Sequence, residues 1–240
     1  MKRGVGAFLI LFLIFGFSEG EEFPAPAVFT DDPLLAPYVA ELEPESRFTT
    51  REEADIVFYN GILEKEAGKK AFDYTLGMDE VLAGADRKMN PNILYSFDNL
   101  ARAVDNLAQV LGFYRPERAG IYTERARLIR KRLQEEKKDS KIDKSLVLAM
   151  GELFDYLLKE MGVRKVSVDR FFIYREKAAG VIPPAQVLCE SLPESDLEVQ
   201  LKYRRYFPVA VKREDFRRVE DFLKAVAEEV KHGKYSGSGR

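Results

Sequence analysis

The chain has 240 residues, enough for one large domain or for two lobes with cores of their own. Hydrophobic residues make up 46% of it, which reads as globular, and a formal charge of −2 excludes a general attraction to nucleic acid or to an anionic membrane. A single cysteine, Cys189, excludes an intramolecular disulfide and reads as a buried thiol because its neighbours are apolar.

Lys2 and Arg3 precede an apolar run from Val5 to Phe17, and Ser18-Glu-Gly20 follows it. This is the pattern of a signal peptide over residues 1–20. The apolar run is about 13 residues, shorter than a bilayer-spanning helix needs. No cysteine follows it, so the expected product is a periplasmic or otherwise extracytoplasmic protein without a lipid anchor.

Beyond the leader, short β-rich runs alternate with longer helical patterns, which predicts an α/β protein with mostly parallel sheets. Ala27-Val-Phe-Thr30 is a strand, and Asp32 can cap a helix whose first residue is Pro33. Ala54 to Tyr59 is the next strand, closed by the turn dipeptide Asn60-Gly61. Ser96 or Asp98 starts an amphipathic helix bearing Leu100, Val104, Leu107 and Leu111, with Gly112 as its stop.

Pro116 opens a second helix that steps through Ala119, Tyr122, Ala126, Ile129 and Leu133. If it reaches Lys138 it is roughly 30 Å long. Its basic run, Arg125 to Arg132, reads as a helix face laced with glutamates, not as a nucleic-acid site. Next come a strand from Ser145 to Ala149, a helix from Glu152 to Met161, and a strand from Lys165 to Val168. Strands Gln186 to Cys189 and Phe207 to Val211 follow, the last an edge strand because of Pro208. Phe216, Val219, Leu223, Val226 and Val230 mark a closing helix. The resulting division is a lobe over 21–115, a linking helix over 116–138, a second lobe over 139–235 and a disordered tail over 236–240.

This order, with several local strings, resembles the solute-binding proteins of zinc and manganese ABC importers. Asn90-Pro-Asn-Ile-Leu-Tyr-Ser96 is similar to that family's Asp-Pro-His-Ile/Val-Trp-Leu-Ser stretch, and Ala54 to Gly61 is similar to its first-lobe strand and turn. Met150-Gly-Glu-Leu-Phe154 stands where the family has Ser-His-Asp-Ala-Phe. Val187-Leu-Cys-Glu190 matches a strand ending in glutamate.

The resemblance implies two lobes joined by a long helix, a zinc or manganese ion in the cleft as cargo, and an ABC transporter membrane subunit as partner. It also implies metal-ligand histidines from the first lobe, and a histidine or glutamate plus an aspartate from the second. At the matching places this chain has no histidine before Ala54, then Asn92, Gly151 and about Lys212. The only histidine, His232, lies beyond the closing helix pattern.

A tight zinc site needs about four nitrogen, sulfur or carboxylate donors, so the metal site reads as degenerate. An ion held by oxygens alone stays open, and Asp31, Asp32, Asn92, Glu152 and Glu190, with Lys212, are the cleft candidates because all fall near strand ends. Asp32 and Glu152 each also have a local reason to be there, at helix starts. No nucleophile elbow, phosphate loop, Cys/His pair or metalloprotease helix is present, so no enzyme is expected. The competing reading is an envelope accessory protein on the same scaffold, using Tyr203, Tyr206 and Phe207 near Arg204 and Arg205 as an interface. A monomer is expected in either case.

Overall fold

In a computed structural model, residues 23–63, 70–78, 90–141, 146–168, 185–203 and 206–233 are described. The leader read at 1–20 and the tail read at 236–240 lie outside them, as do Arg204 and Arg205. No described helix is long and apolar enough to cross a membrane.

The strands are β1 (Ala27–Thr30), β2 (Arg47–Phe48), β3 (Ile56–Tyr59), β4 (Ala71–Asp73), β5 (Leu146–Ala149), β6 (Arg164–Ser167), β7 (Ala185–Cys189) and β8 (Tyr206–Ala210). They form two four-stranded sheets, β2-β1-β3-β4 and β6-β5-β7-β8. Every described pairing is parallel. The central strands are short apolar runs, such as Ile56-Val57-Phe58, because helices cover both faces of a parallel sheet. Pro208 sits on β8, an edge strand, where its missing N–H costs no ladder bond on the open side.

The helices are α1 (Ala36–Leu42), α2 (Phe97–Tyr114), α3 (Ala119–Asp139), α4 (Asp155–Glu160), α5 (Ser195–Tyr203) and α6 (Val219–His232). Asp32 caps the turn into α1: its Oδ1 accepts the Leu34 N–H at 2.9 Å, with Pro33 behind it. Ser96 caps α2 by accepting the Asn99 N–H at 3.1 Å. Contrary to the sequence reading, α2 does not stop at Gly112. A Cβ there would lie 3.2 Å from the Ala119 Cβ, so this glycine lets α2 approach the start of α3 closely. The second-lobe helix is also shorter than Glu152–Met161, because Gly151 to Phe154 are spent on a turn. It ends in a Schellman motif, with Gly162 at φ +72° and the Val163 N–H bonded to the Leu158 carbonyl at 2.8 Å.

The two sheets do not have separate cores. One continuous apolar cluster runs from Val28, Ile56 and Phe58 of the first sheet to Val147, Ala149 and Leu188 of the second, through α2, α3 and α6. A smaller cluster, Leu148, Val187, Leu201 and Tyr206, lies under α5. Tyr206 is therefore core, which corrects its place in the expected interface. Phe207, next to it, is 47% exposed. Cys189 is buried as expected, and burial pushes its thiol pKa up to about 11.

Candidate functional site

Both sheets have the same relative strand order, and in each the first and third strands lie side by side while the second pairs on the far side of the first. That arrangement is a switch point, outside whose carboxyl ends parallel sheets leave a crevice. In the first lobe the crevice holds Asp31, after β1, and Asn60, after β3. The Asn60 N–H donates to Asp31 Oδ2 at 2.7 Å. The Asn60 side chain is fixed at both ends: Nδ2 donates to the Pro91 carbonyl at 2.9 Å and Oδ1 accepts the Ile62 N–H at 3.0 Å. Much of Asp31 faces water, yet the protein around its carboxylate strips part of its hydration and raises its pKa. The charge of Asp32 acts in the same direction, and the bonds from Asn60 and Tyr74 only partly offset both.

In the second lobe the same positions carry the Met150–Glu152 loop and Glu190. Gly151 adopts φ +76° with open space where a side chain would point, so backbone geometry, not crowding, favours glycine there. Its carbonyl accepts from Lys165, which also pairs with Asp155.

Three side chains bridge the two lobes at the cleft. The Tyr95 hydroxyl donates to Asp32 Oδ2 at 3.3 Å and accepts from Arg213 Nη1 at 2.8 Å. The guanidinium carbon of Arg213 lies 6.0 Å from the centre of the Tyr95 ring. Burial opposes the charge on Arg213, but Tyr95, Asp32 and Glu190 outweigh it and raise its pKa. Tyr95 itself is held neutral, first by burial and then by Asp32. Its ring packs edge-on against Phe222 of α6, with centroids 5.5 Å apart.

The candidate residues are thus only partly brought together. Asp31 and Asp32 share the end of β1, and Asp32 and Glu190 both act on Arg213. Asn92 turns its amide to Asn90 Oδ1 at 2.9 Å. Glu152 meets the first lobe through its backbone carbonyl, which accepts from Asn90 Nδ2 at 3.0 Å. Lys212 is exposed, immediately before Arg213. Among the described residues no group of three or more His, Cys, Asp or Glu could hold a metal ion. The Arg213 guanidinium places a positive charge of the chain's own in the cleft.

Sequence reasoning overlooked Arg213, Tyr95 and Tyr74 as cleft residues and took Asn60 only as part of a turn. Arg213 stands beside the position matched to the family's aspartate, and that adjacency was the available signal.

Behind the cleft the lobes are tied again. Arg132 of α3 bonds Glu41 of α1 at 2.8 Å and Glu220 of α6 at 3.1 Å, and Arg218 bonds the same two acids at 2.5 and 2.8 Å. Glu160 of α4 accepts the N–H groups of Phe97 and Asp98 at 2.7 and 3.0 Å and pairs with Lys137. The basic run of α3 is therefore occupied by acids and carbonyls within the protein: Arg125 donates to the Leu42 carbonyl, Arg127 pairs with Glu124, and Arg130 pairs with Asp105.

No protein-family model and no curated protein matches the chain. Solved structures do. A zinc-bound deletion mutant of ZnuA superposes with a TM-score of 0.74 at 13% identity, covering 90% of this chain and all (100%) of that one. The laminin-binding protein Lbp of Streptococcus pyogenes gives 0.70 at 13% identity, over 88% of this chain and 100% of that one. A cadmium-bound periplasmic metal-binding protein from Candidatus Liberibacter asiaticus gives 0.67 at 14%, over 85% and 97%. The class these likenesses define is a fold: the two-lobed α/β scaffold of metal-binding proteins, the one the sequence resembled.

Proposed function

We propose that this chain is an extracytoplasmic solute-binding protein of the zinc/manganese importer type whose metal site is degenerate. It is not an enzyme, and it serves or descends from an ABC transport system, as a monomer whose partner is the transporter's membrane subunit. The shared fold supports the scaffold, and the polar inventory of the cleft supports the loss of the site. The observation that carries this reading is the Arg213 guanidinium, which reaches Asp32 through the Tyr95 hydroxyl across the cleft. A divalent cation placed there meets a fixed positive charge, and the places that the resemblance matches to its ligands hold Asn92, Gly151 and Lys212. Titration calorimetry with zinc and with manganese tests it: no sub-micromolar binding of either ion is expected, and such binding would overturn the reading.

A second reading keeps the scaffold as an envelope accessory protein that binds other proteins. It is supported by the likeness to a laminin-binding protein and by the exposure of Phe48 and Phe207, at 46% and 47%. Recovery of a specific partner from envelope extracts by wild type, lost in Phe48→Ser or Phe207→Ser, is the result that favours it.

A further inference from the structure

We propose that Arg213 is the resident cation of the inter-lobe cleft and that its guanidinium holds the two lobes closed without any bound ion. The inference rests on the reading of a degenerate metal site and says what has taken the ion's place.

The turn carrying Arg213 follows β8 of the second sheet. Its partners come from elsewhere. Tyr95 lies in the segment between β4 and α2, and Asp32 follows β1 of the first sheet. Nη1 reaches the Tyr95 hydroxyl at 2.8 Å, and that hydroxyl donates its own hydrogen bond to Asp32 Oδ2 at 3.3 Å, so the cation and the carboxylate are joined by one shared oxygen. A donor chain of this polarity, from guanidinium to hydroxyl to carboxylate, gives each group its preferred partner. Glu190, which follows β7 of the second sheet, adds negative charge that favours the charged guanidinium. One positive group therefore answers acids from both lobes, as a bound cation does in a cleft lined by carboxylates. The Asn90 amide, bonded to the Glu152 carbonyl and to Asp155 Oδ2, is a further tie between the lobes.

The test is hydrogen–deuterium exchange of the full chain in chelator-treated buffer, comparing wild type with Arg213→Ala, Arg213→Lys and Tyr95→Phe. Loss of a charge-assisted bond predicts a rise of about tenfold in exchange in segments 31–35 and 210–216 together. Segments 126–133 and 220–227, held by the Arg132 network, are expected to stay unchanged. Tyr95→Phe keeps the ring and removes the relay, so it reproduces the pattern, and Arg213→Lys restores part of the protection. Unchanged exchange in both Arg213→Ala and Tyr95→Phe overturns the proposal, as does a rise confined to one lobe or spread evenly over the chain. Zinc or manganese binding by the wild type in calorimetry would defeat the reading of the site without touching this metal-free comparison.

Discussion

Arg213 donates to the hydroxyl of Tyr95 at 2.8 Å, and this bond joins the last strand's exit turn to the segment that leads into α2. It belongs to a wider pattern in which polar ties cross between the lobes at the cleft, along α3 and at the start of α2. One apolar core shared by both sheets adds to these ties.

The buried acid Glu43 is one of the ties around α3. It is fully covered, at 0% exposure, and meets Arg115 at 3.2 Å, Arg118 at 3.0 Å and the Tyr122 hydroxyl. Removing one partner of such a group leaves charge without compensation. Glu43→Ala is expected to lower unfolding free energy by about 3–5 kcal/mol in denaturant titration. Glu124→Ala, which breaks an exposed pair with Arg127, should change it by less than about 1 kcal/mol.

Acid stability should depend on Glu41. Desolvation opposes its ionisation, but Arg132 and Arg218 outweigh that and hold its pKa below the ordinary 4.5. A carboxylate with a depressed folded-state pKa contributes stability above its unfolded value, and that contribution is lost as pH falls through the folded one. Wild type should therefore lose stability more steeply than Glu41→Gln as pH drops below 4.5. Thermal melts of the two proteins at stepped acid pH read this directly.

Alkaline behaviour should report the buried tyrosines. Burial raises the pKa of Tyr38, Tyr74, Tyr95 and Tyr122 above the ordinary 10.0, with nearby acids adding to it. Each gives stability that is complete below 10.0 and declines as pH rises beyond it. Absorbance titration should show these four of the 11 tyrosines ionising only as the protein unfolds.

Gly61 is fixed by its neighbour. A Cβ there would fall 2.0 Å from Asp73 Oδ2, while Asp73 Oδ1 accepts the Gly61 N–H at 3.0 Å and the Thr75 N–H at 2.8 Å. Gly61→Ala forces that carboxylate to move and should cost about 1–3 kcal/mol. In the Asp73→Ala background the same change should cost much less, a coupling that a double-mutant cycle in denaturant measures.

The fold was legible where periodicity was long or strands were fully apolar. β1, β3 and β7 carry runs that only a doubly covered sheet explains, and α2 and α3 show their buried stripes plainly. What escaped was short or was decided by packing. β2 has two residues and β4 three, too few to show alternation. Gly112 looked like a stop because its role depends on Ala119, a contact between helices that no local pattern reveals. For the site, the chain carries Asn92, Gly151 and Lys212 at the places that the resemblance matches to metal ligands. Arg213 was not legible as a cleft residue, since an arginine beside a lysine in a charged chain carries no mark of bonding a tyrosine 118 residues away.

Crystals of the protein soaked in zinc or manganese and measured at the metal's absorption edge show whether an ion enters the cleft. No ordered anomalous peak is expected between the lobes, with Arg213 still bonded to Tyr95. A peak there within about 2.0–2.2 Å of side-chain donors of this chain contradicts that expectation.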